Sequence, residues 1–128
     1  MRLLLDTHTV LWWLIESPSL PDSARRLIAH RNNPVLVSAA SAWEIATKFR
    51  LGKLRVAGDI ISDFPAHLAQ QRFEGLAVSV EHAIRAGSLP GPHKDPFDRM
   101  LIAQAQAESL AIVSNDVQLD GYGVRRIW

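Results

Sequence analysis

Short apolar runs alternate along this chain with longer stretches of helical character, and that alternation limits the possible folds more than any other feature. Arg2–Leu5, Val35–Ser38, Leu76–Val80 and Ala111–Ser114 read as buried strands, with Val124–Ile127 as a short fifth strand at an edge. Helical patterns fill the intervals. Trp12, Trp13 and Ile15 lie on the first, and Pro21 opens a second with Ala24, Leu27 and Ile28 as its apolar stripe. Ser38 or Ser41 can cap a third, which carries Ile45, Ala46 and Phe49 inward and stops at Gly52. Asp59 starts a helix with Ile61, Phe64 and Leu68. A short helix over Glu81–Arg85 ends at Gly87, and a longer one runs from Phe97 to Ser109. Strands joined through a helix need a crossover connection and therefore run parallel. The expected fold is α/β, a three-layer α/β/α sandwich with a mainly parallel central sheet, built as a single domain over residues 1–128.

Composition narrows the chemistry. The chain has no cysteine, so disulfide scaffolds, zinc–thiolate sites and thiol catalysis are excluded. Hydrophobic residues make up 48%, which with a formal net charge of +1 is incompatible with intrinsic disorder. The longest apolar run is VLWWLI, Val10–Ile15, far short of the roughly 20 residues that span a bilayer. The opening MRLLLDTHT starts like a signal peptide, but Asp6 and His8 interrupt its apolar region too early. These features lead us to expect a cytoplasmic protein with no membrane contact. The near-neutral balance gives no basic field to announce a nucleic-acid binder, and the run Lys48, Arg50, Lys53, Arg55 reads first as a solvated face.

The acidic residues carry the functional signal. Strands of a parallel sheet share one carboxyl edge, and ligands bind outside that edge near the switch point in strand order. Asp6 follows the first strand, Asp116 lies just past the fourth, and Glu44 sits early in the helix after the second. Asp95 and Asp98 bracket the start of the helix after the third. Each also has an ordinary explanation. Asp6 and Asp95 suit helix caps, Glu44 can pair with Lys48 four residues on, Asp98 suits a helix N-terminus, and Asp116 can start a turn. Carboxylates that converge, however, repel one another unless a cation neutralises them. An all-oxygen set favours Mg²⁺ or Mn²⁺ over zinc. Such a site can activate water for phosphodiester hydrolysis without any nucleophilic side chain.

The segments LLLDTHTVLWWL, VSAASAWEIATKFRLGKL, HKDPFDRMLIAQA and VSNDVQLDGYGV together resemble the PIN domain, and more closely the toxin ribonucleases of the VapC type from toxin–antitoxin pairs. The resemblance runs from Met1 to about Val124. It implies that Asp6, Glu44, Asp98 and Asp116 form an acidic Mg²⁺ or Mn²⁺ site that cuts RNA endonucleolytically. It further implies a homodimer and a VapB-like antitoxin whose tail wraps across the site. Asp98 fits the third acidic position through its distance from Ile102-Ala103, which leaves Asp95 as a cap or an outer group.

Neighbouring residues keep two readings each. Thr7 and Ser41 can orient a carboxylate or a metal-bound water, or, for Ser41 above all, cap a helix. Asn115 can contact a carboxylate or a phosphate, or serve a turn. Arg99, Lys94 and His93 can hold substrate phosphates, although Arg99 can instead pair with Asp95. His8 reads as structural. Adjacent Trp12 and Trp13 cannot share one helix face, so one is expected to point away from the core, where it suits a dimer or antitoxin contact. Two rival classes remain. A haloacid-dehalogenase-like phosphatase wants an Asp where His8 stands, and a non-catalytic binding module has no use for the full acidic set.

Overall fold

A computed structural model describes residues 1–55 and 58–128. In chain order the elements are β1 (Leu3–Leu5), α1 (Thr7–Leu14), α2 (Asp22–Ala29), β2 (Val35–Ser38), α3 (Ala39–Arg50), α4 (Gly58–Ser62) and α5 (Phe64–Gln70). Then follow β3 (Glu74–Leu76), α6 (Val80–Ser88), α7 (Pro96–Glu108), β4 (Ala111–Val113), a 3-10 turn of helix (Val117–Tyr122) and β5 (Arg126–Ile127). The five strands form one sheet in the order β3-β2-β1-β4-β5, and every neighbouring pair is parallel. The crossover argument therefore holds for the whole sheet.

β1 is the central strand, with Leu3 paired to both Val35 and Ala111. Side chains alternate across a strand, so Leu3 and Leu5 join Val35, Val37 and Val113 in one apolar cluster with Val10, Ile28 and Ile45 from the helices on that side. Leu4, Leu36 and Ile112 face the opposite side and pack with Leu101, Ile102 and Ala105 of α7 and with Leu119. All three leucines of β1 are fully buried, each worth about 1.5–3 kcal/mol relative to exposure. A continuous LLL, rather than an apolar–polar alternation, is what a strand covered on both faces requires. Among the described residues no helix is long and apolar enough to cross a membrane.

The structure corrects several boundaries. The third strand is Glu74–Leu76, not Leu76–Val80. Gly75, just outside the expected strand, lies inside the observed one, paired with Val37. Ser79 instead caps α6, exchanging hydrogen bonds with His82 in a capping box, and α6 runs through Gly87 to Ser88. The helix expected from Asp59 is two helices broken at Asp63 (φ −150, ψ 58). Pro65 has no N–H to give an ongoing helix but fits the first turn of a new one. Asp59 lies in the first turn of α4 rather than capping it. Phe49 is 40% exposed rather than inward, although Ile45 is buried as expected. Trp12 and Trp13 both rest against the core. Trp12 packs near Trp128, while Trp13 stacks near Phe73 and donates to Gln71 Oε1 at 2.9 Å. The outward tryptophan is Trp43, 67% exposed, set edge-on to Phe97.

Candidate active site

Strand order reverses at β1: the chain steps outward to β2 on one side and later returns to β4 on the other. The carboxyl ends of β1 and β4 flank that switch point, where parallel sheets leave a crevice. Asp6 leaves β1 there in extended conformation (φ −60, ψ 154) and occupies the N-cap position of α1. Its side chain is not used as a cap. It points into the crevice, buried, with Oδ2 accepting a hydrogen bond from Ser114 Oγ at 2.5 Å. The same Ser114 oxygen accepts from the backbone N–H of Asp116 at 3.0 Å. Ser114 is fully buried and ties the first acid to the last across adjacent strands. Sequence reasoning missed it; the only available signal was a serine two residues before an aspartate at a strand end.

Glu44 enters from α3, whose start is fixed by Ser38, not Ser41, accepting from Ala40 N. It is 4% exposed. One oxygen, Oε2, holds Lys48 Nζ at 2.5 Å, so the ion pair one helical turn away is real. The other, Oε1, is buried without a hydrogen-bond partner. An unpartnered buried carboxylate oxygen is costly unless something positive completes it. Lys48 is held in its charged form mainly by that hydrogen bond, with Asp95 and Asp98 adding attraction.

Asp98 stands in the first turn of α7, and Asp95 caps that helix by accepting from Phe97 N (2.9 Å) and Asp98 N (3.1 Å). Burial, followed by the charges of Asp95, Asp6, Glu44 and Asp116, pushes the Asp98 carboxyl up to about 7. Burial also raises Asp6, partly offset by its bond from Ser114. Asp116 caps the 3-10 turn through Oδ1 and turns Oδ2 toward the crevice. His93, from the loop between α6 and α7, places Nε2 at 3.3 Å from Asp98 Oδ2 and 3.7 Å from Asp116 Oδ2. These three atoms lie within 4.8 Å of one another.

The flanking residues resolve as follows. Thr7 Oγ1 donates to Ser41 Oγ at 3.0 Å, and both are buried, joining α1 to α3 beneath the acids. Asn115 is exposed between Ser114 and Asp116. Arg99 neither pairs with Asp95 nor reaches outward for phosphate: its guanidinium is spent on the carbonyls of Ala86, Leu89 and His93. His8 is exposed, its ring near Trp12.

A carboxyl raised this far has a signed consequence for the metal-free protein. Asp98 rises from an ordinary 3.8 to about 7 on folding. The folded state thus binds the proton more tightly, and the stability this confers is present below pH 4 and lost as pH rises through 7. In EDTA, Tm is expected to fall between pH 5 and 8, and Asp98→Asn should flatten that fall. An equal slope in the variant would show that the raised carboxyl is not its source.

Residues 3–124 match the PIN domain. This chain belongs to the PIN domain family. It is 30% identical over 118 residues to ribonuclease VapC22 of Mycobacterium tuberculosis, a match covering 91% of this chain and 88% of the relative, which places it in the VapC branch. The PIN fold itself is shared with VapBC2 of Rickettsia felis bound to a DNA fragment from its promoter (TM-score 0.72, 18% identity, 99% and 98% of the chains covered). It is shared also with VapC20 of Mycobacterium tuberculosis, a sarcin-ricin loop cleaving toxin (TM-score 0.67, 14% identity, 95% of each chain).

Proposed function

We propose that this PIN protein, acting as a single domain over residues 1–128, is a metal-dependent endoribonuclease and the toxin of a toxin–antitoxin pair. The observation carrying the reading is the convergence of carboxylates from four segments on one crevice, where burial first and the charges of Asp95, Asp6, Glu44 and Asp116 after it push the Asp98 carboxyl up to about 7. VapC22 bears the name ribonuclease, and VapC20 is described as cleaving the sarcin-ricin loop, which supports RNA as the substrate class.

The residues fit a divalent cation. Glu44 Oε1 is buried and unpartnered, and the donors are hard oxygens, the chemistry of Mg²⁺ or Mn²⁺. In this reading Asp6, Glu44, Asp98 and Asp116 hold the ion, and Asp95 remains a helix cap that adds negative charge. A bound ion there supplies a lowered pKa for water and charge neutralisation at the phosphate. The chain's own groups do the rest. Ser114 fixes Asp6 and the Asp116 backbone relative to each other. Thr7 and Ser41 brace the α1–α3 junction, and Asn115 and Lys94, both exposed beside site residues in sequence, are the candidates for contact with substrate phosphates. Lys48 neutralises one oxygen of Glu44 and leaves the other for the ion.

Partners follow from the same reading. The neighbour from Rickettsia felis is named VapBC2, which supports a VapB-like antitoxin as partner here, with a homodimer as the toxin's own assembly and the cytoplasm as its location. The test is cleavage of labelled RNA by the full chain with Mg²⁺ or Mn²⁺ against EDTA. Cutting is expected with either ion and none in EDTA. Undiminished cutting in EDTA would sink the metal mechanism, and no cutting of any structured or single-stranded RNA would sink the ribonuclease.

A further inference from the structure

The loop that carries His93 to the carboxylates is held far more firmly than a surface connection needs. The His93 backbone N–H donates to Tyr122 Oη at 2.8 Å, and its carbonyl accepts from Arg99 Nη1 at 2.9 Å. Gly91, at φ +107, lets the loop close over the tyrosine, because a Cβ there would stand 2.8 Å from Tyr122 Oη. The ring is fixed as well: Nδ1 accepts from the Asp95 backbone N–H at 3.4 Å. The side chain is 9% exposed, and Nε2 is buried without a hydrogen bond although two carboxylate oxygens lie 3.3 and 3.7 Å away.

The two ring nitrogens have different duties. Nδ1 receives a hydrogen bond and so bears no hydrogen, which puts the proton of the neutral ring on Nε2. Nε2 itself lies close to both Asp98 and Asp116 without a hydrogen bond to either, and these two carboxylates arrive from separate segments, the first turn of α7 and the turn after β4. A nitrogen carrying its hydrogen does not ligate a metal; it is a donor to carboxylates that do. We propose that His93 is a positioning residue of the metal centre, its Nε2 standing between the Asp98 and Asp116 carboxylates and setting their spacing for a divalent cation. A donor at this point offsets the repulsion that the site's carboxylates exert on one another. The inference rests on the metal-site reading above.

Mn²⁺ binding to the full chain, followed by the electron paramagnetic resonance of the free ion, tests it with four proteins: wild type, His93→Ala, the ring-preserving His93→Phe, and His93→Gln, which keeps an N–H donor. Loss of a hydrogen-bonding partner behind metal-ligating carboxylates typically costs about 10–100-fold in affinity. His93→Ala and His93→Phe are expected to weaken Mn²⁺ by about tenfold or more, and His93→Gln to recover part of that loss. Tm in EDTA shows whether each variant is folded, and His93→Phe carries the test if His93→Ala is not. Unchanged affinity in His93→Phe would overturn the proposal. So would a His93→Gln as weak as His93→Phe, and so would a loss confined to Mn²⁺ with Mg²⁺ untouched, the mark of a nitrogen ligand. If wild type itself binds no divalent ion, the metal-site reading falls first, and that result is distinct from all of these.

Discussion

Asp6→Asn is expected to reduce metal-dependent RNA cleavage by about 10³-fold while leaving the fold intact. Metal coordination supplies several kcal/mol of transition-state stabilisation, and about 4 kcal/mol corresponds to a thousandfold in rate. The substitution removes one anionic ligand at the switch point of the sheet, where Asp6 is buried and fixed by Ser114. The fold should survive. Asn has the same shape, the Asp6 side chain does not cap α1, and burial works against the charge that is lost. Cleavage of labelled RNA beside circular dichroism makes the measurement, and a variant that cuts at the wild-type rate would move the chemistry elsewhere. Asp98→Ala and Asp95→Ala run in the same assay separate the third acid: Asp98→Ala should match Asp6→Asn, while Asp95→Ala should cost stability at the α7 cap and retain cutting.

Arg99→Met is expected to destabilise the protein by about 2–4 kcal/mol and to lower cleavage as well. The Arg99 guanidinium donates to three carbonyls, Ala86 (3.1 Å), Leu89 (2.5 Å) and His93 (2.9 Å). Two of these belong to the end of α6 and one to the loop holding His93, so one planar fork terminates a helix and sets the approach to the acids. Hydrogen bonds from charged groups contribute about 1.5–3 kcal/mol each when measured singly. They are not additive here, because freed carbonyls in a half-buried loop regain water. Met keeps the aliphatic packing and removes the fork. Arg99→Lys keeps the charge but cannot span three acceptors, and it should recover less than half of the loss. Urea unfolding at neutral pH gives the stability term. Wild-type stability in Arg99→Met would mean the three bonds contribute nothing net.

Much of this was legible in the sequence because the informative residues sit at element ends. Asp6, Glu44, Asp116 and the pair Asp95 and Asp98 are candidates by one rule about the carboxyl edge of a parallel sheet, which needs only the strands' approximate positions; the preference for Asp98 over Asp95 came from the resemblance to the PIN domain. β3 starts two residues and ends four residues earlier than expected, without disturbing the argument, since Asp95 and Asp98 are carried by the start of α7 and not by the end of β3. What escaped was whatever depends on side chains meeting across the chain. Arg99 looks like a phosphate contact beside a nuclease motif, and only the path of the loop before it shows three carbonyls waiting within reach. Ser114 is an unremarked strand residue until β1 and β4 are seen side by side. Trp12 and Trp13 cannot share a helix face, yet both found apolar surroundings because the C-terminal Trp128 and the residue before β3, Phe73, come in from different directions.

The hydrogen bond between Asp6 and Ser114 joins residues 108 positions apart, and β1 completes its pairing only when β4 lies beside it. Such long-range closure comes late in folding. Until β4 docks, β1 keeps one edge bare and Asp6 stands without the serine that fixes it. The order of the strands thus couples assembly of the crevice to closure of the whole sheet, and a partly folded copy, with β1 and β2 paired but β4 still loose, cannot bring the full set of acids together.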